Sequence, residues 1–321
     1  MDWQTLFLTK AGSVALMLGM GGIIVLLLRV LYGPRGILRD PTWDAMNDKH
    51  HRENATAPAW LAAHKKQLTR YAARFSTPNP SLAAHLQLKR EHTFRVLENA
   101  MAIAAQEDAF AAPPMYRALL LAALYHDVGR FTQLVTYQTF SDAHSCNHGH
   151  LGAMVLAREG FLQKEAPAVR HMVRTAVCLH NAYQPPAGLP APMQAVLNAV
   201  RDADKLDIIS LMCEQLGPGK TPDNTVVMHL ADTPGAYSEA VWQALQQRTP
   251  ASFQNMRTVN DFRLLLCTWF DALHFTASKR QLAQSGHLIT IINGLQGVDA
   301  LRHEALALLH IRLASAFPNT Q

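Results

Sequence analysis

Cysteine is scarce in this chain, with 4 in 321 residues and no C-x-x-C pair. That excludes a disulfide-stapled scaffold and the paired-thiolate metal motifs. Cys146, Cys178, Cys213 and Cys267 are expected as reduced, mostly buried thiols. Aromatic residues are also few, at 7%, and no segment alternates convincingly at period two, so a sheet of aromatic and β-branched strands is not expected. There is no internal repeat of fixed period and no low-complexity tract, which argues against a solenoid or a disordered chain. A strong charge imbalance is missing too. The net charge of +5 comes from 29 Lys+Arg against 24 Asp+Glu, and the basic residues are scattered along the sequence, so no specific nucleic-acid partner is predicted. The small excess suits proximity to anionic lipid or an anionic substrate. What is abundant is Ala and Leu, and the expected fold class is all-α.

From Ala11 to Leu28 no residue is charged, and with Val30, Leu31 and Tyr32 the apolar run reaches about 22 residues, roughly 33 Å of helix. Residues 11–32 are therefore expected to be a transmembrane helix after a short segment 1–10, with Arg29 snorkelling at one end. A cleaved signal peptide fits less well, since there is no basic n-region and no A-x-A-like site. Lys10 alone flanks the run on one side, against Arg29, Arg35, Arg39, Lys49 and Arg52 on the other. The positive-inside rule then places a single-pass protein in the inner (cytoplasmic) membrane with its C-terminal part in the cytoplasm. Gly12, Gly19, Gly21 and Gly22 would let two such helices approach closely, which makes a homodimer possible.

Residues 33–58, rich in Pro, Asp, Asn and His, are expected to be a juxtamembrane linker. Helical periodicity follows around Trp60 to Phe75 and from Ser81 to Ala104, where His92 shares the face of Val96, Leu97, Ala100 and Ile103. Pro113 and Pro114 open a helix from Met115 to about His126, with Gly129 expected to close it. Further helical patterns cover His150–Arg158, Ala168–His180, Pro192–Leu216, Val241–Gln247, Asp261–Ala283 and Leu301–Phe317. Residues 59–217 are expected to form a helical metal-binding domain and 218–321 a helical extension packed on it.

His126 and Asp127 end an apolar helix in which Leu119 to Leu124 must be buried, so both side chains need partners near a core. The pair gains meaning from others like it. Val169, Met172, Val173, Ala176 and Val177 form one helical face that ends in His180. In the next helix Val196, Leu197, Val200 and Leu211 share a face with Asp204, while Asp202 is turned away by about 200°. A carboxylate directed into a core is disfavoured unless it is paired or binds a cation. That selects Asp204 over Asp202, with Asp207 one turn on as a supporting group. His92, His126, Asp127, His180 and Asp204 would converge from four helices, a mixed imidazole and carboxylate set suited to divalent Mn, Fe, Zn, Co or Ni. Such an ion acidifies water and offsets charge on a phosphoryl group, so phosphoester hydrolysis is the expected chemistry. His144, Cys146, His148 and His150 are close enough in sequence for a separate structural zinc, a less economical alternative.

The pieces E-H-T-F-R-V at His92, H-D-V-G-R-F at His126, S-C-N-H-G-H-L-G-A around His148, H-N at His180 and R-D-A-D-K-L-D-I at Asp204 together resemble the HD superfamily of metal-dependent phosphohydrolases, in particular one bacterial branch of it. The resemblance covers about Leu88 to Ile209. It implies that His92, His126, Asp127 and Asp204 form the basic metal site, with His148 and His180 as additional ligands where two ions are held and Asp127 bridging them. Asn181 departs from the pattern, because some two-metal relatives have a second His there. By analogy Arg130 and Lys205 would hold substrate phosphate. The implied partner is a phosphorylated small molecule, nucleotides included, hydrolysed as a monoester or diester. The competing expectation is a membrane-tethered sensor or scaffold that keeps the fold and binds metal or nucleotide without turnover.

Overall fold

The computed structural model describes residues 58–75, 77–222, 227, 228 and 230–316. The expected membrane helix 11–32 and nearly all of the linker lie outside these residues. Among the described residues no helix is long and apolar enough to cross a membrane.

The fold is all-α. Twelve α-helices are described: α1 (Ala59–Ala73), α2 (Pro80–Ala104), α3 (Pro113–Tyr125), α4 (Val128–Tyr137), α5 (His148–Arg158), α6 (Pro167–Leu179), α7 (Ala191–Leu216), α8 (Glu239–Gln246), α9 (Val259–Thr268), α10 (Thr276–Ser285), α11 (His287–Asn293) and α12 (Asp299–Ala316). An isolated bridge between Ala231 and Thr258 is the β pairing found among the described residues. The chain divides into two compact units. The first comprises residues up to Thr93 together with Asp127–Lys164, and the second Phe94–His126 with Glu165 onward. Residues beyond 217 thus belong to the same unit as α3, α6 and α7.

In the first unit α1 buries Leu61, Leu68 and Tyr71, which lie on one face at helical spacing. The Tyr71 ring meets Phe131 and Phe161 edge-on, at centroid distances of 6.3 and 5.5 Å, and its hydroxyl lies 2.9 Å from Thr132 Oγ1. The polar tip is thereby satisfied while the ring fills the core. Gly129, expected from the sequence to close α3, does not do so. It lies inside α4, where a Cβ would strike the backbone of α5, at His148 O and 2.7 Å from Gly152 N. Glycine there sets the close approach of α4 to α5.

In the second unit α3 is buried all round from Ala118 to Tyr125, as the unbroken apolar run requires. α6 and α7 both pack on it. The single helix expected over Asp261–Ala283 is two, α9 and α10. The break is made by Asp202, whose carboxylate accepts from the backbone N–H groups of His274 (2.9 Å) and Phe275 (3.0 Å), so that a new helix starts at Thr276. Asp202 is fully buried. Its 200° offset from Asp204 points it at this second partner and not at solvent, because α7 is covered on more than one side. Arg263 on α9 is also fully buried and donates from Nε to Leu216 O at 3.0 Å, at the otherwise open end of α7.

Candidate metal centre

His92, on α2, and Asp127 and His148, on either side of α4, belong to the first unit, and all three are buried. Asp127 presents each carboxylate oxygen to a different imidazole: Oδ2 lies 3.6 Å from His92 Nε2, and Oδ1 lies 3.4 Å from His148 Nε2. Two donors sharing one divalent ion at bond lengths of about 2.1 Å stand roughly 3 to 3.5 Å apart, so the His148 spacing falls within that range and the His92 spacing lies just beyond it.

The position of His148 is fixed from behind. Asn147 caps α5 by accepting from His150 N at 2.9 Å. His148 Nδ1 then donates to Asp142, 2.7 Å from Oδ2, which places the ring lone pair on Nε2. Burial by itself would raise the Asp142 carboxyl. The hydrogen bond and charge of His148, the Gln133 amide and the charge of Arg130 outweigh burial and hold it well below the usual carboxylate range. Gln133, fully buried, ties the loop together by donating to Asp142 Oδ1, Ser145 Oγ and Cys146 O, each at 2.9 Å.

His126, His180 and Asp204 belong to the second unit. The two imidazoles follow the ends of α3 and α6, where Nδ1 of each donates back to the carbonyl three residues earlier. The His126 bond to Ala123 O and the His180 bond to Val177 O are both 2.8 Å. Each bond uses a helix-end carbonyl that would otherwise lack a partner, and again leaves Nε2 as the metal-binding nitrogen. The rings stand edge to face at 5.2 Å, and His126 Nε2 is 3.9 Å from Asp204 Oδ1. Arg201, one turn before Asp204, donates to His180 O (3.1 Å) and Ala182 O (2.5 Å), pinning the end of α6 to α7. Asp207 is engaged elsewhere, in a 2.5 Å ion pair with Arg95.

Arg130 is held by Phe140 O at 2.5 Å and Gln133 Oε1 at 2.8 Å, with its Nε 3.5 Å from Asp127 Oδ1. Lys205 donates to Arg201 O at 3.4 Å. Burial pushes its ammonium down to about 8, with Arg201 adding to the fall while Asp202 and Asp204 oppose it. Among the described residues His144, Cys146 and His150 join no group spaced to hold an ion. His144 instead lies 2.8 Å from Ser141 Oγ, and His150 is exposed.

Four contributors escape a search for ligand-type residues on helical faces. Lys89, one turn before His92, donates to Asp127 Oδ2 at 2.9 Å. Asp142, Gln133 and Arg201 are the others. For Lys89 and Arg201 the signal is in the sequence, each three residues before a candidate ligand and so on its side of the helix. Asp142 and Gln133 meet only through the fold of the 138–147 loop.

Five of the six candidate ligands are buried and Asp204 is half-buried, His126, His148 and His180 have their Nδ1 partners fixed, and the His and Asp groups could hold a metal ion. No curated protein and no solved structure matches the chain. The family model of the HD domain does match, over residues 90–209, a span that runs from just before His92 to just after Asp204 and is consistent with the HD-domain superfamily.

Proposed function

We propose that this chain is a metal-dependent phosphohydrolase in which His92, His126, Asp127, His148, His180 and Asp204 ligate one or two divalent transition-metal ions of the Mn, Fe, Zn, Co or Ni type. The observation that carries this is the two-sided carboxylate of Asp127, with Oδ2 toward His92 and Oδ1 toward His148, an arrangement suited to bridging. The peptide bond between His126 and Asp127 adds support, because it ties an imidazole ligand directly to that carboxylate. Bound divalent metal would supply acidified water and positive charge for a developing phosphoryl anion.

The protein's own residues would do the rest. Asp142, Ala123 and Val177 fix the tautomers of His148, His126 and His180. Lys89, Arg130 and Lys205 supply cationic groups that would draw a phosphate toward Asp127 and Asp204. The substrate we propose is a phosphorylated small molecule, a monoester or diester, with nucleotides among the candidates. We further propose that the apolar run 11–32 anchors the protein in the cytoplasmic membrane, with the HD domain in the cytoplasm. Hydrolysis of phosphomonoesters, nucleotides and cyclic dinucleotides should appear with added Mn, vanish on chelation, return on re-addition and be absent in Asp127→Ala. Bound metal with no turnover on any of these would instead favour a tethered sensor.

A further inference from the structure

Between Glu53 and Glu91 the sequence has no acidic residue, yet it carries Lys65, Lys66, Arg70, Arg74, Lys89 and Arg90. The near balance of charge over the whole chain hides this local excess. Lys66 and Arg70 on α1 and Arg74 at its C-cap recur every four positions and so form one stripe, with no carboxylate three or four residues away on the helix to offset their repulsion. The stripe forms one wall of a cleft of about 660 Å³ within the first unit, and the turn after α5 forms the other, adding Lys164 and a single carboxylate, Glu159. Arg74 grips Glu159 with two bonds of 2.6 and 3.0 Å. One cation is therefore neutralised, while Lys66, Arg70 and Lys164 have no carboxylate partner among the described residues.

We propose that this cleft binds a phosphate-bearing anion. A guanidinium and two ammonium groups around a concavity match the several acceptor oxygens and more than one negative charge of a phosphate ester, and the volume is that of a small-molecule site. None of the six proposed metal ligands lines the cleft. The inference concerns binding alone and stands whether or not the chain hydrolyses a phosphoester.

The test uses the full chain in detergent micelles titrated with inorganic pyrophosphate, and in parallel its flotation with phosphatidylcholine vesicles with and without phosphatidylglycerol. Lys66→Gln/Arg70→Gln should weaken pyrophosphate binding at least tenfold if the ligand is a free phosphate compound. If vesicle binding requires phosphatidylglycerol and falls in the same variant, the ligand is a lipid headgroup phosphate. Both results support the cleft. Unchanged binding in both arms overturns it, as does an equal loss in Arg174→Gln/Lys279→Gln, which removes the same charge elsewhere. Should the first double variant lose helical circular dichroism, Arg70→Gln is compared with Arg70→Lys. Weaker binding in Arg70→Gln alone supports the cleft, and equal binding in both overturns it.

Discussion

His148 is held between two carboxylates, with Nδ1 2.7 Å from Asp142 Oδ2 and Nε2 3.4 Å from Asp127 Oδ1. One carboxylate fixes the proton and the other shares the lone-pair side, so His148 is prepared to donate from Nε2. Asp142→Ala should lower metal affinity by about 10- to 100-fold, the usual effect of removing such a supporting partner. Asp142→Asn, which keeps an acceptor oxygen, should lose less. Calorimetric titration with Mn measures both, and equal affinity for wild type and Asp142→Ala would remove the positioning role.

Gly129→Ala should destabilise the protein by about 1–3 kcal/mol, as overpacking does. The added methyl would meet the backbone of α5 at His148 O and Gly152 N, and neither can rotate away as a side chain could. Thermal unfolding should show a melting temperature lower by several degrees. An unchanged value would mean that α4 and α5 separate without cost.

Arg117 and Glu165 form a bidentate pair, at 2.5 and 2.8 Å, in which the carboxylate side chain is 3% exposed and the guanidinium 32%. Arg117→Met should cost about 3 kcal/mol, the lower end for a broken buried pair because Arg117 keeps some contact with water. The double variant Arg117→Met/Glu165→Leu should recover most of that. Urea unfolding of the two variants reads the difference, and a double variant no more stable than the single one would contradict it.

Cys267 is fully buried, and burial pushes its thiol up to about 12. The thiolate is the reactive form, so Cys267 should resist a disulfide-exchange reagent at mildly alkaline pH until the protein is unfolded. Cys146, Cys178 and Cys213 are only partly buried. Counting thiols before and after denaturation should show Cys267 released only by unfolding, and its modification in the native state would refute this.

Much of this protein follows from the sequence alone. The unbroken run Leu119–Leu124 required burial on every side, and the pattern from Val169 to Val177 required one buried face, because apolar side chains at those spacings cannot all reach water. The resemblance to the HD superfamily was legible in the same way, because its motifs are read from residue type and order and need no three-dimensional information. α4 was not legible as a helix of its own, since Gly129 reads as a stop after α3 although Val128, Phe131 and Leu134 share one buried face, and its place depends on the contact with α5. Nor was the break between α9 and α10, which has neither Pro nor Gly and rests on the Asp202 carboxylate some seventy residues away. The His-Asp pair shows the division most clearly. Sequence selected His126 and Asp127 by residue type and by their place at the end of a buried helix. Only the tertiary structure decided which oxygen of Asp127 faces which histidine, and that Asp142 sets the proton on His148, because these are distances between segments whose spacing along the chain says nothing about their separation in space.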